Sequence, residues 1–334
     1  MPQAAFLPYL KQMGYLDGIT MTICFVGSRK LSEQDDLGKS NWSYFVPNLK
    51  VYGFDADADA CEEANMLAQS FPWQEEHFPL ALSAEVGEKT LYVTKAPMCS
   101  SLYPPNEHFA RRLKDLNSGV ELWSLMGLDF TLQVETTTLD TFAQENNLGE
   151  IDFIKTDVQG ADLDVLKGAA RLLDAATLGV VAEVCYQPLY LGQPLFSDVD
   201  SYMRTIGFSL FTFGVATRGR GCSPLAPAKG LQQFLWGDAL YLRDPLQPDY
   251  DPRFLSPEKL LKLACIAEVH GACDFCAELL EHLTLLHGEN PRWNMTPAIR
   301  EALCQFPKLA QDLDNLPIMQ RLNSSEPSSP RFKA

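Results

Sequence analysis

The sequence lacks a long apolar run, a basic cluster and a cysteine framework, and each absence removes a class of protein. The apolar stretch nearest the start, residues 19–27, is too short to cross a bilayer. It has no basic segment ahead of it and no small-residue cleavage site behind it, so no secretory signal is expected. Basic residues are outnumbered, 27 Lys and Arg against 43 Asp and Glu, for a net charge of −16 at pH 7. Such a chain repels phosphate backbones and acidic lipid surfaces, and the short Arg218 to Arg220 and Arg111-Arg112 segments do not reverse that. Neither nucleic acid nor a membrane is expected as a partner. The nine cysteines are odd in number and scattered, which fits reduced thiols in a cytoplasmic protein.

Metal-binding patterns are missing as well. Cys265, His270, Cys273 and Cys276 lie in a leucine-rich stretch whose spacing suits one continuous helix with small cysteines packed among leucines. The acidic run Asp55, Asp57, Asp59 has Ala60 where a calcium loop requires Gly and Met66 where it requires Glu. A glycine-rich phosphate loop is also absent. Gly27 ends the first strand-like run, but Ser28, Arg29 and Lys30 follow it where a dinucleotide site has G-x-G-x-x-G.

What is present is an alternation of short buried-strand and amphipathic-helix patterns. Hydrophobic residues make up 46% and charged residues 21% of 334, enough for a large core and a length suited to about two domains. Strands are expected at 19–27, 50–55, 78–83, 151–158 and 179–184, with an added strand at 90–94 and two late ones at 208–213 and 239–242. Helices are expected at 59–69, 161–176 and 196–206. The Gly- and Pro-rich segment between the late strands reads as a long loop or broken hairpin. This alternation predicts a doubly wound α/β sheet closed by an antiparallel pair. Beyond residue 250 the pattern becomes purely helical. Ser256-Pro257-Glu258 forms a helix start, leucines recur through Leu286, and another helix is expected over 296–306. The expected divisions are an N-terminal segment 1–18, an α/β domain 19–248, a helical extension 249–322 and a disordered tail 323–334 rich in Ser and Pro.

Three acids fall where an open sheet binds ligands, beyond the carboxyl ends of its strands. Asp55 ends the second strand and reads either as an acceptor for the hydroxyls of a ribose or as a loop acid capping the next helix. Asp157 ends the central strand and reads either as a base for a substrate hydroxyl or as a helix cap. Lys155, in the same strand, needs an acidic partner. Glu183, near the end of the fifth strand, is either that partner or a site residue.

Four ordered segments resemble the FkbM methyltransferases. They are Val-Tyr-Gly-Phe-Asp at 51–55, Thr-Leu-Asp at 138–140, the block from Asp152 to Asp162 with Leu-Lys-Gly at 166–168, and Glu-Val at 183–184 followed by Pro-Leu-Tyr at 188–190. The resemblance implies a seven-stranded methyltransferase-like (Rossmann-type) sheet, with the all-helical extension outside it. It implies S-adenosylmethionine as cofactor and transfer of its methyl group to a hydroxyl of a sugar or secondary metabolite. On that basis Gly27, Asp55, Leu82 and Ser83 are the expected cofactor contacts and Asp157 the catalytic residue. Ser101, Glu183 and Tyr186 are the expected acceptor contacts. The chain departs from the family pattern in its first loop, at Gln159, where the family has Glu, and at Asp162, where it has a second Glu. These departures leave a second reading, a catalytically impaired methyltransferase-like module that binds a protein through its helical extension. The leucines of that extension also admit a homodimer.

Overall fold

The computed structural model describes residues 4–30, 37–225, 230–248 and 250–324. Strands β1 (Met21–Val26), β2 (Leu49–Asp55), β3 (Gln74–Pro79), β8 (Phe153–Thr156) and β9 (Gly179–Cys185) run parallel, in the order β3-β2-β1-β8-β9. Strand β12 (Gln233–Leu242) adds antiparallel along the full length of β9. The chain winds outward from β1 to β3 and then returns to β8, so the topological switch, where open sheets bind ligands, lies between β1 and β8.

The main sheet has nine strands rather than the expected seven. The position beyond β12 is filled by two strands, β10 (Ser209–Phe213) and β11 (Ala216–Arg220), on opposite halves of β12. The two-residue strand β6 (Leu113–Lys114) extends β11. Segment 216–220, expected in a loop, is therefore a strand. Gly237 permits this break, because a Cβ there would lie 1.9 Å from the carbonyl oxygen of Gly214. The expected third strand, 78–83, is also displaced. Its apolar residues are where the chain leaves β3 and enters β4 (Ala81–Leu82) of a second sheet. That sheet has the order β4-β7-β5, with β5 (Gly87–Thr94) and β7 (Leu128–Thr137) forming a long antiparallel pair.

Alternation along the strands feeds two cores. Cys24, Val26, Tyr52, Phe54 and Ile154 face a layer built from helices α5 (Leu139–Glu145), α6 (Asp162–Gly168), α7 (Ala170–Ala175) and α8 (Phe196–Thr205). The single helix expected over 161–176 is thus two, joined at Ala169. Met21, Ile23, Leu49, Val51 and Phe153 face the opposite way, against helices α9 (Pro257–Val269), α10 (Cys273–His287) and α11 (Thr296–Cys304). The helical extension therefore shares one core with the first strands and the N-terminal helix. Leu260, Leu261, Leu263, Leu279, Leu280 and Leu283 are all buried there, so these leucines offer no face to a second copy. The helix predicted to run through the cysteine-rich stretch breaks at His270 and Gly271, which separate α9 from α10. Two polar ties fasten this layer. Glu268 accepts the backbone N–H groups of Ala5, Phe6 and Leu7 at 2.6–2.7 Å, and Lys262 reaches the buried Asp152 at 3.1 Å. The tail expected to be disordered falls outside the described residues except for 323 and 324; Asn323 closes the last helix. Among the described residues, no helix is long and apolar enough to cross a membrane.

Candidate active site

A cavity of about 770 Å³ opens at the carboxyl ends of β1, β2, β8 and β9, a volume within the range of small-molecule sites (roughly 300–1,000 Å³). Gly27 and Asp157, at the ends of β1 and β8, form its base. The two backbones approach so closely that a Cβ on Gly27 would lie 1.9 Å from the carbonyl oxygen of Asp157. Gly27 also has φ +80°, which disfavours any other residue.

Asp55 lines the same cavity, and its carboxylate accepts the backbone N–H of Asp57 at 2.9 Å. The helix cap is Asp57, whose side chain accepts the N–H groups of Asp59 and Ala60 and opens α2 (Ala58–Ala68). Asp55 is thus released from the capping alternative. Burial raises its pKa, against the opposing influence of its hydrogen bond with Asp57. Arg29 and Lys30, the two cations that follow Gly27, are neutralised locally: Arg29 pairs with Asp57, and Lys30 with Glu75. Neither presents an unpaired charge to a cationic ligand.

Asp157 belongs to a polar network centred on Gln159. It does not cap α6, whose first residue is Asp162. Its carboxylate accepts the amide Nε2 of Gln159 at 2.9 Å, and the same nitrogen donates to Glu183 at 3.0 Å. The Tyr190 hydroxyl lies 3.0 Å from the Gln159 Oε1 and 2.8 Å from the Cys99 carbonyl. Gln159 reaches this position through a left-handed backbone, φ +55°, a conformation that costs energy for a non-glycine residue and recurs at functional sites. Ser101 holds the turn by donating to the Gln159 carbonyl at 2.7 Å. Burial and the neighbouring carboxylates of Asp157, Asp162 and Asp238 push Glu183 well above the usual carboxyl range. Asp162 is fully buried, and that burial pushes its carboxyl up to about 7.

The expected residues divide accordingly. Gly27, Asp55, Leu82, Asp157, Glu183 and Ser101 all line the cavity, although the Ser101 hydroxyl is engaged with the Gln159 backbone. Ser83 is fully buried, and its hydroxyl accepts from Lys89 at 2.7 Å, so it is absent from the cavity wall. Tyr186 is absent too, with its hydroxyl donating to Gly214 and its ring among Phe196, Phe213 and Phe234. Glu183 is bonded to Gln159 and has no ion pair with Lys155 among the described residues. Lys155 lies close enough to Asp238 and His270 to favour the charged form of the first and disfavour that of the second. Gln159 and Tyr190 were missed as functional residues. An amide at a family acid position was the signal for Gln159; Tyr190 had none beyond its place in the Pro-Leu-Tyr segment. Among the described residues, no group of three or more side chains could hold a metal ion.

The residues present fit S-adenosylmethionine. Asp55 lines the cavity with a carboxylate that could accept from ribose hydroxyls, Phe54, Leu80 and Leu82 offer an apolar wall that adenine could pack on, and Gly27 has no side chain to fill the space beside Asp157.

The family model for the methyltransferase FkbM domain matches residues 39–210, just over half of the chain. No curated protein matches the sequence. Similar solved structures include a magnesium protoporphyrin IX methyltransferase from Synechocystis PCC 6803 with bound cofactor (12% identity, 71% of this chain and 76% of that one, TM-score 0.31). Others are an S-adenosylmethionine-dependent methyltransferase from Anabaena variabilis ATCC 29413 (10%, 71% and 83%, TM-score 0.32) and a putative RNA methyltransferase from Pyrococcus horikoshii (8%, 71% and 82%, TM-score 0.30). Likenesses this distant carry no weight beside the family match. With that match over the strands that bear Asp55, Asp157 and Glu183, the chain belongs to the FkbM methyltransferase family, and its cofactor is S-adenosylmethionine.

Proposed function

We propose that the protein transfers a methyl group to a hydroxyl oxygen of a sugar or secondary metabolite, with Asp157 receiving the hydroxyl proton. The observation that carries this reading is the position of Asp157. It lines the same cavity as Gly27 and Asp55, the residues read as cofactor contacts, and its carboxylate accepts a hydrogen bond from Gln159.

The cofactor supplies a methyl group already activated by its sulfonium. The chain's own residues have three tasks. Asp55 and Gly27 hold and admit the cofactor. Asp157 orients the acceptor hydroxyl and takes its proton as the new C–O bond forms, a role worth about 10²–10⁴ in rate. Burial and the neighbouring carboxylates hold the Glu183 carboxyl well above the usual range beside it. The amide of Gln159 spans both carboxyl groups without adding a third charge. The impaired-module reading has less support, because Leu260, Leu261, Leu263, Leu279, Leu280 and Leu283 of the helical layer are consumed by the core, leaving only Leu285 and Leu286 as exposed leucines among its described residues.

The test is label transfer from methyl-labelled S-adenosylmethionine to a panel of hydroxylated sugars and metabolites, comparing wild type with Asp157→Asn. The expected result is a loss of turnover of about 10²-fold or more, with S-adenosylhomocysteine affinity retained. Turnover within tenfold of wild type would remove Asp157 from the role of base.

A further inference from the structure

The wall of the large cavity away from the cofactor residues has a composition of its own. Strand β7 alternates Leu128, Phe130, Leu132 and Val134 with Asp129, Thr131, Gln133 and Glu135, and β5 places Leu91 and Val93 opposite Leu132 and Phe130. This is the period-two signature of a sheet with one apolar face. Leu91, Val93, Phe130 and Leu132 line the cavity, joined by Met98 and Leu125. Yet Phe130 is 51% exposed, Leu132 38% and Met98 53%. Large apolar side chains grouped at a cavity mouth mark a ligand surface rather than a core.

The position of this wall relative to the reaction centre is determined. Ser101 pairs with Tyr92 of β5 through reciprocal backbone hydrogen bonds, while its hydroxyl holds the Gln159 carbonyl. The apolar face of the β5–β7 pair and the Asp157 network are therefore fixed to each other through one residue.

We infer that the acceptor is amphiphilic: an aliphatic or aromatic body of several carbons lies along the β5–β7 face, with its hydroxyl presented to Asp157. This rests on the methyltransferase reading and narrows its substrate class. A small free sugar has no apolar body to place on six apolar side chains, whereas a hydroxylated hydrocarbon skeleton, or a sugar carried on one, does.

The probe is a homologous series of primary alcohols, from ethanol to 1-octanol, titrated into protein loaded with S-adenosylhomocysteine. The expected result is affinity rising by roughly fourfold per methylene, and by less than twofold per methylene in a Phe130→Ser/Leu132→Ser variant that binds S-adenosylhomocysteine as wild type does. Leu91→Ser on the facing strand repeats the test independently. Affinity that is flat with chain length, or an equal slope in the variants, overturns the inference. Failure of wild type to bind S-adenosylhomocysteine at millimolar concentration instead overturns the methyltransferase reading, and this inference with it.

Discussion

On the floor of the cavity, Gln159 is bound to Asp157, Glu183 and Tyr190 at 2.9–3.0 Å, and the carboxyl groups sit deep enough for burial to dominate Glu183 and Asp162. On the lip, Phe130 and Leu132 are partly exposed and belong to none of the buried cores among the described residues. The floor is a polar network tied together at Gln159, where hydrogen bonds make buried polar groups tolerable. The lip is an amphipathic antiparallel strand pair with apolar side chains of one face on the cavity. On the proposed reading, one cavity separates chemistry from recognition: a bonded polar network where the proton would move, and apolar surface where the acceptor body would lie.

The sharpest way to break this comparison is at the floor. Asp162 has a usual carboxyl pKa of 3.8 when unfolded and about 7 in the folded chain. Below pH 4 both states hold the proton and the group costs nothing. Between pH 4 and 7 only the unfolded chain releases it, so stability falls with rising pH, by about 4 kcal/mol in total from this group, and the loss levels off above pH 7. Urea denaturation of wild type and Asp162→Asn at pH 4.5, 6 and 8 should show the wild type losing ground to the variant as pH rises. Parallel curves would mean that the carboxyl is ionised at no unusual cost.

A smaller effect is expected at Asp55. Asp55→Ala should weaken S-adenosylhomocysteine binding by roughly tenfold to a hundredfold, as befits lost hydrogen bonds from a charged acceptor, with the melting temperature kept because Asp57 remains to cap α2. Affinity unchanged by calorimetry would move the ribose away from β2. The smallest effect belongs to the lip. Phe130→Ser/Leu132→Ser should shift the unfolding free energy by no more than about 0.5 kcal/mol per site, since neither side chain is in a core. A large loss of stability would show the hairpin to be structural and erase the contrast with the floor.

Much of the parallel sheet was legible because its signals are local. Strands β1, β2, β8 and β9 are short apolar runs closed by Gly27, Asp55, Asp157 and Cys185, and a strand buried on both faces advertises itself in composition alone. Strand β3, Gln-Glu-Glu-His-Phe-Pro, hid because it pairs only with β2 at the sheet edge and needs few apolar residues. Strand β7 hid for a related reason: its apolar face packs on no core. The break at Ala169, the paired strands β10 and β11, and the split between α9 and α10 each depend on what lies across the gap from them.

The sequence by itself determined that Gly27, Asp55 and Asp157 come together, because each ends a strand and strand ends line up at one edge of an open parallel sheet. It also determined the family, through the order of four short segments. Tertiary structure alone decided that Gln159 bridges Asp157 and Glu183, the latter 24 positions along the chain from it, and that Glu183 is bonded to Gln159 rather than paired with Lys155. It decided as well that Ser83 and Tyr186 turn away from the cavity, and that the C-terminal helices close the second face of the sheet. The physical reason is the same in each case. A strand's end is set by its own residues, but the direction of a side chain and the burial of a helix face are set by neighbours that the chain brings together only on folding.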